Sequence, residues 1–111
     1  MSVGRFDPRL PTGVVTKVGP GYMYHVYILE SQKNGKFYIG HTDDLDRRLL
    51  DHNSGKVKST RNYRPWVRRY AEAYPTRIEA TRRELEIKSK KSRAYIIKLI
   101  GRHVPIENRD G

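Results

Sequence analysis

The chain has 111 residues, with 23 Lys and Arg against 12 Asp and Glu, a formal net charge of +11 and 36% hydrophobic residues. That length supports one small domain with a modest core, and the charge calls for a polyanionic partner, either nucleic acid or an acidic membrane surface. The lack of cysteine excludes disulfides and thiolate metal sites; no apolar run approaches the roughly 20 residues of a membrane span and no signal-peptide core opens the chain, so a cytoplasmic protein is expected.

The charge is uneven. Residues 56–111 hold 16 Lys and Arg against 6 Asp and Glu, whereas residues 23–55 hold 4 against 5. The second half therefore supplies the grip on phosphates.

Residues 1–22 are rich in Gly and Pro with little periodicity, and are expected to be a disordered tail. Tyr24 to Glu30 (YHVYILE) has the aromatic and β-branched content of a strand. Asn34-Gly35 signals a tight turn, and Lys36 to Gly40 (KFYIG) returns as the second strand of a hairpin, with Gly40 suited to a close backbone approach. Asp44 caps a helix whose buried face reads Leu45, Arg48, Leu49 and His52, ending at Gly55. This face aims an arginine and a histidine inward. Lys56 to Pro65 is a basic loop, and Trp66 to Glu72 a third strand. Thr76 and Glu79 form a capping box for a second helix reaching about Ser89. Ser92 to Ile100 has the apolar spacing of a third helix, with Gly101 as its stop and 102–111 as a tail. The order β-β-α-β-α-α makes an α+β domain over residues 23–101.

No phosphate loop, dinucleotide fingerprint, serine elbow or helical histidine pair is present. What remains is a dispersed polar set: Tyr27, Tyr38, His41, Arg48, His52 and Glu84. Singly, each has an ordinary explanation as packing or solvated charge. Together they suit phosphodiester hydrolysis. A carboxylate can hold Mg²⁺ with most of its waters, an arginine fork fits phosphate, and a tyrosine can activate water if its proton has somewhere to go.

The order and spacing of these residues resemble the GIY-YIG nuclease family. The first signature stands as His25-Val26-Tyr27, without the family's glycine; the second is intact as Tyr38-Ile39-Gly40. Arg48 matches the family's helix arginine, His52 its histidine or tyrosine, His41 its lysine or histidine, and Glu84 its metal-binding glutamate within ATRRELEIK. Asn53-Ser54-Gly55 is similar to the small single-domain bacterial members, and the whole resembles the catalytic domain of the excision-repair incision subunit. The resemblance implies a three-stranded antiparallel sheet flanked by helices and a Mg²⁺- or Mn²⁺-dependent endonuclease acting on DNA, with a place in repair or recombination. It implies that Tyr27 or Tyr38 activates water with His41 assisting, that Arg48 stabilises the phosphoryl transition state, that Glu84 holds the metal, and that His52 orients Tyr27 or relays its proton. The tips of Tyr27, Tyr38, Arg48 and Glu84 should then meet on one surface. Lys56, Lys58, Arg61, Arg64, Lys88 and Lys91 are the candidate nucleic-acid contacts. The alternatives are a catalytically silent nucleic-acid-binding module and a domain that docks a separate protein partner.

Overall fold

The computed structural model describes residues 5–6, 15–16 and 22–102. Arg5–Phe6 (β1) and Val15–Thr16 (β2) pair antiparallel; of the rest of the expected N-terminal tail only Tyr22 is among the described residues, its hydroxyl donating to Asp43 at 2.6 Å. The main sheet contains Tyr24–Ser31 (β3), Phe37–Thr42 (β4) and Trp66–Tyr74 (β5), all antiparallel and ordered β4-β3-β5. Helices Leu45–Ser54 (α1), Arg77–Ser89 (α2) and Arg93–Arg102 (α3) complete the order expected from the sequence.

β3 is the central strand, and helices cover both of its faces. This accounts for the unbroken apolar run Val26-Tyr27-Ile28-Leu29, all four buried. Val26 and Ile28 join Ile39, Ala80, Ile87, Ile96 and Leu99 on the α2–α3 side. Tyr27, Leu29 and Trp66 pack with Leu45 and Leu49 of α1 on the other. The Asp44 carboxylate caps α1 by accepting from the Arg47 amide at 3.1 Å, and Gly55 closes it in the left-handed region at φ 89. The Thr76 hydroxyl caps α2 by accepting from the Glu79 amide.

Four local expectations are corrected. β4 runs to Thr42, so His41 lies within the strand rather than after it. The basic loop contains a 3₁₀ turn over Arg61–Tyr63. β5 reaches Tyr74 because its ladder with β3 continues to the Tyr24–Tyr74 pair; near this end the Glu72 carboxylate accepts both arms of the Arg83 guanidinium at 2.9 and 3.0 Å and the Tyr74 hydroxyl at 2.5 Å. α3 passes through Gly101 to Arg102, since glycine weakens a helix but does not by itself end it. Residues 103–111 of the expected C-terminal tail lie outside the described residues.

Two buried features fix the α1 side. Tyr27 stands opposite Gly40 on β4 and Ala71 on β5, two small residues that leave its ring room. A Cβ at Gly40 would lie 2.6 Å from the Tyr27 hydroxyl oxygen and 2.8 Å from Cζ. The second feature is a polar chain through the core. The Thr60 hydroxyl donates to the Val57 carbonyl and accepts from His52 Nδ1 at 2.8 Å. That leaves His52 Nε2 to accept the Tyr27 hydroxyl proton at 3.0 Å. His52 and Thr60 are fully or almost fully buried, which is sustainable because both are hydrogen-bonded.

Gly40→Ala is expected to destabilise the fold by about 1–3 kcal/mol through this overlap, read as a lower denaturant midpoint. Tyr27→Phe in the same chain should recover part of the loss, because the nearest clashing atom is gone; strictly additive losses would contradict the overlap. Burial, then the nearby Arg48 charge, lower the His52 pKa from 6.5 to about 4. The unfolded chain therefore takes up this proton first, so the contribution of neutral His52 is complete above pH 6.5 and drains away toward pH 4. The loss should approach about 3 kcal/mol. Denaturation of the protein and of His52→Gln across this window checks it: the stability difference between them should shrink as pH falls, and a constant difference refutes it.

Candidate active site at the edge strand

The polar residues converge on β4, which forms one edge of the sheet. Alternation divides them between its faces. Tyr38 and Gly40 face α1, whereas Phe37, Ile39 and His41 face α2. Tyr27 reaches this edge because its ring crosses Gly40, the only residue type that leaves space for it. The Tyr27 and Tyr38 rings lie 6.3 Å apart, and the Tyr38 ring lies 4.8 Å from that of His52. Arg48, one turn before His52 on α1, stands beside the Tyr27 hydroxyl and is 3.7 Å from Asp51. It is partly exposed, so its guanidinium can meet both the phenol and solvent.

On the other face, α2 carries Glu84 to β4. Its Oε1 is 2.6 Å from His41 Nδ1, and its Oε2 accepts from Lys88 Nζ at 2.5 Å. The carboxylate is 14% exposed. Burial alone would raise its pKa, but the hydrogen bonds from Lys88 and His41 outweigh burial and hold it below the ordinary value. Glu84 is also close enough to act on the Tyr27 hydroxyl through space. That phenol is pushed up to about 12, chiefly by burial; the Arg48 hydrogen bond opposes the rise, and Tyr38 and Glu84 add to it. Tyr27, Tyr38, Arg48 and His52 thus form one contact cluster. Glu84 and His41 form a second on the opposite face of β4, so of the four tips expected on one surface Glu84 stands apart from the other three and reaches Tyr27 only through space, because alternation along β4 turns His41 to α2 and Tyr38 to α1.

A hard divalent cation fits this edge as far as its donors go. Glu84 offers an ionised carboxylate with hard oxygens, and Mg²⁺ is commonly held by one or two carboxylates with water and substrate phosphate completing the shell. Among the described residues no group of three or more His, Asp or Glu side chains is placed to enclose an ion. The remaining ligands of any such ion would have to be water and phosphate oxygens.

The six candidate nucleic-acid contacts do not form one patch. Lys56, Lys58, Arg61 and Arg64 follow α1 on its side of the sheet, with Arg61, Arg64 and Lys33 around a polar cavity of about 390 Å³. Lys56 lies 3.8 Å from Asp51. Lys88 and Lys91 lie at the end of α2, across the sheet. Sequence reasoning missed Thr60, whose loop has no periodicity. It also missed Asn53 as a fastener: its side-chain amide donates to the Trp66 carbonyl at 3.0 Å and accepts from the Trp66 amide at 2.7 Å. Neither pairing leaves a local sequence signal, because each joins residues across a loop.

Residues 23–96 match the family model of the GIY-YIG catalytic domain. The chain is 42% identical over 67 residues to a UPF0213 protein of Halobacterium salinarum, covering 60% of this chain and 86% of that protein. It is 41% identical over 88 residues to a UPF0213 protein of Halalkalibacterium halodurans, covering 77% of this chain and 90% of that one. A solution NMR structure of a UPF0213 protein from Bacillus halodurans superposes with a TM-score of 0.46 at 40% identity, over 71% of this chain and 83% of the other. No helix of the described residues is long and apolar enough to cross a membrane. With two thirds of its length matched and both signature strands paired, the chain belongs to the GIY-YIG catalytic-domain family.

Proposed function

We propose that the protein is a divalent-metal-dependent endonuclease that hydrolyses DNA phosphodiester bonds, in repair or recombination. Membership of the GIY-YIG family implies nuclease-type activity. The observation that carries it is the hydrogen-bonded path from Tyr27 through His52 to Thr60, ending at the strand edge where Arg48 and Glu84 approach.

In this reading a water beside Tyr27 gives its proton to the phenol oxygen as the Tyr27 proton passes to His52 Nε2. The Nδ1 proton of His52 is committed to Thr60, which turns the free Nε2 lone pair to the phenol; burial and the Arg48 charge oppose a lasting imidazolium, so His52 holds the proton only while the phosphorane charge develops. The resulting hydroxide attacks phosphorus, the bond to the leaving oxygen breaks, and a solvent proton neutralises that oxygen. Arg48 meets the charge that accumulates on the non-bridging oxygens. Tyr38, packed between His52 and Trp66, holds the imidazole in place. A Mg²⁺ or Mn²⁺ ion held by Glu84 would supply a Lewis acid for the leaving oxygen. His41 keeps the Glu84 carboxylate aimed at the edge. The cations on both sides of the sheet bind flanking phosphates.

A silent nucleic-acid-binding module is the competing reading, and one observation favours it: both Glu84 oxygens are already engaged, by His41 and Lys88.

Labelled single-stranded, duplex and branched DNA should be cut in Mg²⁺ or Mn²⁺ by the parent protein. Glu84→Gln and Tyr27→Phe should each lose about 100-fold or more in cleavage rate while still binding. Equal cleavage by parent and Glu84→Gln would refute the assignment of the metal residue. Salt-sensitive binding with no cleavage in either metal would favour the silent module.

A further inference from the structure

A cavity of about 340 Å³ opens between β4 and the junction of α2 and α3. Its floor is apolar, made by Phe37, Ile39, Ile87 and Ile96. Its rim is cationic, made by Lys36, Lys88, Lys91 and Arg93, with no carboxylate in the lining. The volume is that of a small-molecule site, and the pairing of an apolar floor with a positive rim fits a ligand with a flat apolar body and an anionic group.

The position of the cavity narrows the choice. Ile39 precedes His41 by one pleat on the same face of β4, about 6.6 Å along the strand. Ile87 and Lys88 follow Glu84 by about one turn of α2, roughly 5.4 Å. Lys88 belongs to both places, since it lines the cavity and donates to Glu84 Oε2. The cavity is therefore about one nucleotide step from the carboxylate assigned to the metal. Its walls are also pre-set. The Arg93 guanidinium donates to the Gly35 carbonyl at 2.9 Å and stacks 4.5 Å from the Phe37 ring centre. Lys91 occupies the left-handed region at φ 46, where a side chain is disfavoured and glycine would be easier.

We propose, resting on the nuclease reading, that this cavity is a subsite for an unpaired nucleotide next to the bond that is cut. The base lies on the apolar floor beside Phe37, and its phosphate is held by Lys91 and Arg93. A base lodged there has left its partner strand. The subsite thus selects DNA with an unstacked or single-stranded nucleotide at the cleavage point over continuous duplex.

The test uses the full chain without metal, followed by amide NMR. A deoxynucleoside 5′-monophosphate has no phosphodiester to cut, so binding is read apart from activity. It should shift the amides of Phe37, Ile39 and Lys91, and deoxyribose 5-phosphate and inorganic phosphate should bind at least about tenfold more weakly. Lys91→Gly relieves the left-handed residue, so its Tm should not fall, yet its affinity for the mononucleotide should drop several-fold. Equal binding of inorganic phosphate, absence of shifts at these amides, or unchanged affinity of Lys91→Gly would each overturn the subsite. Shifts at the same amides from an acidic amphipathic peptide but not from the mononucleotide would overturn it in favour of a protein-docking groove. DNA cleavage by the parent without these shifts defeats the subsite alone; the shifts without cleavage defeat the nuclease reading and its cleavage subsite together, and leave only a nucleotide-binding cavity.

Discussion

The fit of the Tyr27 ring across Gly40 organises this molecule. Gly40 has ordinary strand geometry but no side chain, and that void lets a residue of the central strand project over its neighbour to the edge of the sheet. Once there, the Tyr27 hydroxyl must find a partner, because an unpaired buried hydroxyl is costly. His52 provides it, Thr60 orients His52, and the Thr60 carbonyl receives the Trp66 indole proton at 2.9 Å. A single small residue thereby sets the depth of α1, the path of the following loop and the start of β5.

The same edge reconciles two faces of a thin sheet. A three-stranded sheet whose centre is covered on both sides has no interior large enough for a polar pocket. Chemistry can be assembled only where both coverings end, at an edge strand. α1 brings Arg48 and His52 to one side of β4, and α2 brings Glu84 and Lys88 to the other. The Glu72–Arg83 pair anchors α2 to β5 from the far side, with Tyr70 and Tyr74 also donating to that carboxylate. This network has no role in the proposed chemistry. It holds α2 in the register that presents Glu84 to the edge, since Arg83 and Glu84 are neighbours on the same turn.

The individual elements were legible in the sequence because their causes are local. Alternation and β-branching mark the strands, Asp44 and Thr76 mark helix starts, and Asn34-Gly35 marks the hairpin. The inward histidine was legible as well, since the α1 face Leu45, Arg48, Leu49, His52 follows from 3.6-residue periodicity, and His52 is buried. Gly101 misled because a glycine lowers helix propensity by only about 1 kcal/mol, which is too little to end a helix by itself. His41 was placed outside its strand because the hydrogen bonds that extend β4 to Thr42 come from His25 and Val26, far away in the chain.

The sequence by itself determined the class of the fold, the order of its elements and the set of polar residues available for chemistry, because those depend on composition, periodicity and spacing. Only the tertiary structure decided the strand order β4-β3-β5, the division of that polar set between two faces of β4, and the pairing of Glu84 with His41 and Lys88. It also decided the role of Thr60 and the cavity beside β4. The physical reason is common to all of these. Each depends on which side chain fills the space left by another across a sequence separation, and such complementarity has no period that a single strand or helix could carry.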